Sequence, residues 1–157
     1  YKIKLLLVGG GSGYAQEKLN NQIDQSDPGG VFVECRSFVP HTELPELHAA
    51  ADIFIFASSC ENMPNTLIEA MAAGLPIASS DRGPMPEVLQ DAGLYFDPET
   101  PSSIVAAIEK LIKDGALRDR LGRRAQQLSD NYSWRKCADQ TWAFVSETYS
   151  LEKGQGL

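Results

Sequence analysis

The apolar and polar positions of this chain change their period several times. Ile3-Lys4-Leu5-Leu6-Leu7-Val8 is a nearly continuous apolar run, the pattern of a strand covered on both faces, and Gly9-Gly10-Gly11-Ser12-Gly13 ends it. From Tyr14 to about Gln25 a helix is predicted with Leu19 and Ile23 on one face, broken by Asp27-Pro28-Gly29-Gly30. Val31 to Cys35 reads as a second strand. Thr42 is then placed to cap a short helix through Glu43, Leu44, Pro45 and Leu47, with Pro45 tolerated in its first turn. Asp52 to Ala57 is a third strand, Pro76-Ile77-Ala78-Ser79 a fourth and Gly93-Leu94-Tyr95-Phe96 a fifth; a loop over 80–86 and a brief helix through Glu87, Val88 and Leu89 join the last two. From Pro101 the pattern is helical only. Ser102 or Ser103 can cap a helix carrying Ile104, Ile108, Leu111 and Ile112, Leu117, Leu121 and Leu128 mark another, and Ser133 can cap a third with Trp134, Cys137, Trp142 and Val145.

Strands alternating with helices imply βαβ units, hence an α/β fold with a Rossmann-like parallel sheet, helices on both faces and a helical C-terminal segment. One domain over 1–150 is expected, followed by a frayed tail over 151–157. Ligands of such sheets bind beyond the carboxyl ends of the strands, which places Gly9–Gly13, Phe38–His41, Ser58–Thr66 and Ser80–Pro86 along one rim.

The densest chemistry lies in Ser58-Ser59-Cys60-Glu61-Asn62-Met63-Pro64-Asn65-Thr66-Leu67-Ile68-Glu69, which follows the third strand. Pro64 suits a first helical turn, so a helix is expected to begin near Met63 or Pro64 and to stop at Gly74, leaving Glu61 in the loop before it. The amides of Asn65, Thr66 and Leu67 would then be free at the positive end of the helix, where an anion is best held. Glu69 falls one turn further in. On spacing alone the two acids could equally be solvated groups flanking a helix. With a phosphate at the amides, however, they are well placed to accept from paired sugar hydroxyls.

Composition narrows the class. A length of 157 residues, 43% of them apolar, fits one domain with a sizeable core, and 14 Lys and Arg against 21 Asp and Glu, a net charge of −7, argue against a nucleic-acid surface. Cys35, Cys60 and Cys137 lie far apart without pairing or metal-ligand spacing, which fits reduced thiols in the cytoplasm. No apolar run reaches the ~20 residues of a membrane span, and no metal is expected, since there is no Asp-x-Asp motif and His41 and His48 have no partners at ligand spacing. Tyr1 stands where an initiator Met would, and the first strand is already under way, the expectation for a piece excised from a longer polypeptide.

The segment from Glu61 to Pro76 resembles the Glu-x7-Glu signature of the retaining family 4 glycosyltransferases with the GT-B fold. The likeness continues through the Val8–Gly13 turn, Phe38-Val39, Glu43-Leu44, Ala51–Ile55, Gly83-Pro84-Met85-Pro86-Glu87, Gly93–Pro98 and Tyr132-Ser133-Trp134. It implies the donor-binding C-terminal domain of an enzyme that moves a sugar from a UDP- or GDP-sugar to an acceptor hydroxyl, with no cofactor. By that resemblance Glu61 contacts the donor sugar and is the catalytic candidate, and Glu69 holds the ribose. Met63, Pro64 and Asn65 offer backbone to sugar and phosphate, Thr66 and Leu67 bind the diphosphate, Val39 reads the base, and Gly11 and Gly13 pass close to the nucleotide. A glycan, lipid or small-molecule acceptor would be bound by an N-terminal domain, and peripheral association with the inner face of a membrane is compatible with it. Three departures stand out. Asn62 and Pro84 occupy positions where the family usually has Gly, and the Arg and Lys that neutralise the diphosphate would belong to an earlier strand and helix.

Other readings compete. Gly9, Gly11 and Glu34 suit a dinucleotide site, but Tyr14 at the third glycine position would obstruct helix-to-strand packing. A nucleotide-sugar epimerase and a non-catalytic nucleotide-sugar-binding module are further alternatives. Arg118, Arg120, Arg123 and Arg124, with Asp114 and Asp119 mixed among them, read as a solvated helix face rather than a lipid-binding surface, His41 as an exposed loop histidine, and Trp134 and Trp142 most simply as core, although the resemblance implies a last helix that leans toward another domain with part of its apolar face exposed here.

Overall fold

The computed structural model describes residues 2–154, with side chains through residue 150. Its elements run β1 (Leu5–Val8), α1 (Tyr14–Ser26), β2 (Val33–Arg36), a 3-10 turn (His41–Glu43), α2 (Leu44–Ala50), β3 (Phe54–Phe56), α3 (Asn65–Ala72), β4 (Ile77–Ser80), α4 (Met85–Leu89), β5 (Gly93–Phe96), α5 (Pro101–Lys113), α6 (Gly115–Ser129) and α7 (Trp134–Gly154). The helix–strand order is the expected one. The residues group into two compact units, Tyr1–Leu47 and His48–Leu157, within the span where the sequence predicts one domain.

In the first unit β1 and β2 pair in parallel, Leu5 opposite Val33 and Val8 opposite Arg36. Asp27, read from the sequence only as part of a helix break, organises the entry to β2. Its carboxylate accepts from the N–H groups of Val31, Phe32 and Val33, each at 2.8 Å. Burial alone would raise the Asp27 carboxyl, but these three donors outweigh it and hold it below the usual carboxylate range. The continuous apolar run of β1 predicts cover on both faces. Instead its burial alternates, with Leu6 and Val8 exposed, and α1 has no buried residue, because a two-stranded ladder offers few partners to either face.

In the second unit β3, β4 and β5 form a parallel sheet with β4 in the middle. Successive side chains of a strand point to opposite faces, and all four residues of β4 are buried. Ile77 joins Leu67, Met71, Met85, Leu89, Ala125 and Leu128 on one side, and Ala78 joins Phe96, Ala107, Leu111 and Leu121 on the other. Phe54 and Phe56 belong to the first cluster and Ile53 and Ile55 to the second. Helices therefore cover both faces of this sheet, as the apolar runs predict.

The turn chemistry agrees with the sequence at some ends and not at others. Gly74 takes φ 72° after α3, its N–H donating to the Met71 carbonyl at 2.9 Å and that of Leu75 to Ala70 at 3.2 Å, a full Schellman stop. Ser133 caps α7 by accepting from the Lys136 N–H. Thr42 does not cap, since Pro40 precedes the 3-10 turn, and α5 starts after Thr100 while Ser103 accepts from the Asp97 N–H instead. Asp114 ends α5 and caps α6 through the Leu117 N–H. Two of the four clustered arginines also have structural tasks. Arg118 donates to the Leu111 carbonyl at the end of α5, and Arg124 pairs with Asp91 at 2.8 Å.

Beyond Ser133, Trp134 is 82% and Trp142 72% exposed, so the core role predicted for them does not hold. The helix continues through residues 151–154, within the 151–157 span where a frayed tail is predicted; 155–157 lie outside the described residues. No helix among the described residues is long and apolar enough to cross a membrane.

α6 lies so close to the end of α3 that a Cβ on Gly122 would run into the Gly74 carbonyl oxygen. Backbone cannot yield as a side-chain tip does. Gly122→Ala is expected to destabilise the second unit by about 1–3 kcal/mol, the range for overpacked interiors. Urea denaturation followed by far-UV circular dichroism checks this.

Candidate functional site

The second unit brings two of the predicted loops together. β3 ends at Phe56, and the chain runs through 57–64 into α3; β4 ends at Ser80, and 81–84 lead into α4. A Cβ built on Gly83 would lie 3.9 Å from the Glu61 carbonyl oxygen, so the two loops are side by side at the carboxyl ends of adjacent parallel strands. Glu61 is half-buried in the first loop, with Asn62 and Met63 exposed beside it. Glu69, one turn into α3, is also half-buried, and its Oε2 is shielded from solvent. Leu67, Ala70 and Met71 anchor the opposite side of α3 in the core.

The first turn of α3 corrects one expectation. Pro64 takes the position before the first helical residue, with φ −82° and ψ 74°, the geometry of an inverse γ-turn. That turn directs the Asn65 N–H onto the Met63 carbonyl at 2.9 Å. The Pro64 carbonyl accepts from Leu67 at 3.0 Å and Ile68 at 3.1 Å. Two of the three amides expected to be free are thus engaged by backbone, and among the described residues only that of Thr66 is left without such a bond. The helix end remains electropositive, but it is partly self-satisfied.

The glycine-rich turn and Val39 belong to the first unit. Gly9 (φ 116°) and Gly13 (φ 58°) occupy the left-handed region, and the Gly11 N–H donates to Gln16 Oε1 at 3.0 Å. A Cβ on Gly10 would approach the Ser37 carbonyl to 2.9 Å, so the turn lies beside the segment that leads to half-buried Val39. Tyr14 is 79% exposed and obstructs nothing, which removes the packing argument raised against a dinucleotide site. Glu34 is paired with Arg36 at 2.8 Å. His41 opens the 3-10 turn, exposed, and His48 packs edge-on against Phe54.

The departure at Pro84 is accommodated. Its φ of −80° suits the ring, and the position before α4 needs no N–H, while Gly83 supplies the left-handed residue at φ 52°. Within the rim segment 80–86 and the family-like segment 93–98, Arg82 and Asp97 carry no individual signal of a role, yet they are tied together. Arg82 Nη2 donates to Asp97 Oδ1 at 2.8 Å, with Nε 3.4 Å from Asp81. Asp97 also accepts from the Glu99 N–H and the Thr100 hydroxyl.

A parallel α/β sheet with an acid-bearing loop and a helix N-terminus at its strand ends is a Rossmann-like arrangement. The chain belongs to the family of glycosyl transferases group 1, which it matches over residues 1–128. It is 31% identical over 136 residues to O-antigen chain mannosyltransferase B of Escherichia coli, covering 87% of this chain and 35% of that protein. The chain thus spans about a third of the length of the curated relatives it matches, 35% in that case. Sucrose-phosphate synthase from Thermosynechococcus elongatus superposes with a TM-score of 0.83 at 23% identity, over 94% of this chain and 39% of that one. Anabaena HepE, solved in complex with UDP and glucose, gives 0.81 at 21% identity, over 92% and 40%. These structures show the fold, the Rossmann-like domain of GT-B glycosyltransferases.

The Glu99 N–H and the Thr100 hydroxyl hold the Asp97 carboxyl below its ordinary value, and Arg82 adds to their effect. A lowered folded value means that this contribution to stability is present above the ordinary carboxylate range and is lost as pH falls through the folded value. Asp97→Asn is therefore expected to flatten the acid limb of the stability profile below about pH 4. Denaturation midpoints of both proteins across that range check it.

Proposed function

We propose that this chain is the donor-binding, C-terminal half of a retaining, family 4 glycosyltransferase that moves a sugar from a nucleotide-diphosphate sugar to an acceptor hydroxyl. The observation that carries this is the juxtaposition in the second unit of the Glu61 loop, the N-terminus of α3 and the Gly83 turn, with Glu69 one helical turn inside. Family membership supports a nucleotide-sugar donor, and a structural neighbour, HepE, is solved with UDP and glucose.

In this reading the diphosphate lies at Thr66 and the first turn of α3. A phosphate oxygen, being ionised, makes a stronger bond with the Asn65 and Leu67 amides than the neutral carbonyls of Met63 and Pro64 that now engage them. Exposed Met63 lines the approach, whereas Pro64, fully buried, serves only by setting the backbone of the turn; Glu61 accepts from sugar hydroxyls and Glu69 from the ribose. Chemistry requires negative charge to be stabilised as the diphosphate leaves, a task for amides at a helix N-terminus once the phosphate has drawn those of Asn65 and Leu67 from the Met63 and Pro64 carbonyls. The resemblance also assigns Gly11, Gly13 and Val39 to the nucleotide, but the proposal stands on the second unit alone. It needs no metal or cofactor.

Calorimetric titration of UDP, GDP and their common sugars into the full-length protein tests it. Glu69→Ala is expected to weaken nucleotide binding by about 1–3 kcal/mol, the scale of a lost charged hydrogen bond. Glu61→Ala should leave the bare nucleotide bound and weaken only the nucleotide sugar. Unchanged affinity in Glu69→Ala takes that residue out of the site.

A further inference from the structure

Arg82 immediately precedes Gly83, where the two loops of the second unit meet. Its N–H donates to the hydroxyl of buried Ser80 at 3.1 Å, and its carbonyl accepts from buried Met85, so its backbone is fixed at both ends of a tight turn. Its guanidinium reaches away from that turn to Asp97 at the end of β5. Asp97 is itself held. Its N–H donates to Ser103 Oγ at 3.1 Å, and its carboxylate accepts from Glu99 and Thr100 at the start of α5. Between Arg82 and the site lies Gly83, whose left-handed backbone faces the Glu61 carbonyl.

The guanidinium is 47% exposed and the Asp97 side chain 37%, so the pair contributes little to stability. Its consequence is geometric. A planar fork that reaches Asp97 through Nη2 and Asp81 through Nε fixes the direction of the turn in a way that a lysine ammonium, a single point charge, does not.

We infer that Arg82 is a positioning residue for Glu61: tied to Asp97, it holds the Gly83 turn against the Glu61 loop and thereby sets how tightly the Glu61 carboxylate grips the donor sugar. This rests on the proposed role of Glu61. It makes Arg82 a determinant of sugar affinity that does not itself touch the nucleotide.

The test is a set of titrations on the full-length protein with UDP, GDP and the corresponding sugars, reading the ratio of nucleotide-sugar to bare-nucleotide affinity. Arg82→Ala is expected to lower affinity for the nucleotide sugar roughly tenfold, the step that corresponds to about 1.4 kcal/mol, and to leave the bare nucleotide within about twofold. Asp97→Asn should reproduce the effect and Arg82→Lys should recover only part of the loss. Combining Arg82→Ala with Glu61→Ala should cost no more than Glu61→Ala alone, because residues acting through one contact are not additive. An equal loss of bare-nucleotide affinity, additivity with Glu61→Ala, or unchanged sugar affinity in both Arg82→Lys and Asp97→Asn overturns the inference. If the unaltered protein binds neither nucleotide nor nucleotide sugar, the reading of the site fails first and takes this one with it.

Discussion

The second unit depends on β4 being covered from both sides. Its four residues are buried, and alternation sends Ile77 into one apolar cluster and Ala78 into the other. At roughly 25 cal/mol per Å² of apolar surface removed from water, that double cover is the main force available to bring α3 and α4 to one face and α5 to the other. Small residues are needed where cover must be close. Gly93 has Leu89 pressed against it and Gly122 lies on the Gly74 carbonyl, so each helix reaches the sheet or its neighbour without a side chain between. The loops that leave β3 and β4 are then constrained to emerge together, and the meeting of Glu61 with Gly83 follows from packing behind it.

The start of α3 balances two demands. The first amides of a helix have no partner within it, yet a folded chain gains by satisfying them. Pro64 reconciles these locally. It has no N–H to satisfy, and its ψ of 74° lets Met63 take the Asn65 amide while its own carbonyl serves Leu67 and Ile68. These bonds are local and use donors that a helix start otherwise leaves open. Sequence reasoning counted amides from the position of the proline, and it could not see the γ-turn, because ψ at Pro64 is set by the loop before it.

Legibility follows the range of each interaction. The Gly74 stop, the Ser133 cap and the bounds of β5 were readable because each is decided within a few residues by backbone chemistry. The caps that failed did so through competition. Ser103 is drawn to the Asp97 N–H, and Asp114 closes one helix while opening the next, a double duty that the basic residues around it concealed. The arginines beside it looked like a solvated face because composition cannot show that Arg118 meets the end of α5 or that Arg124 reaches Asp91. Asp27 looked like a helix breaker, although its carboxylate gathers three amides of the next strand.

The largest misreadings share a physical origin. Tyr14 was expected to block packing and is 79% exposed; Trp134 and Trp142 were expected in the core and stand in solvent; β1 was expected to be covered twice and alternates. Hydrophobic periodicity reports which face of an element favours burial, since it is the transfer of that face from water that lowers the free energy. It carries no information about which surface accomplishes the burial. From β3 to the end of α6 sheet and helices meet that demand, and there the pattern and the structure agree. In α7 the same pattern is present without a covering element among the described residues, and the inference from period to burial loses its second term.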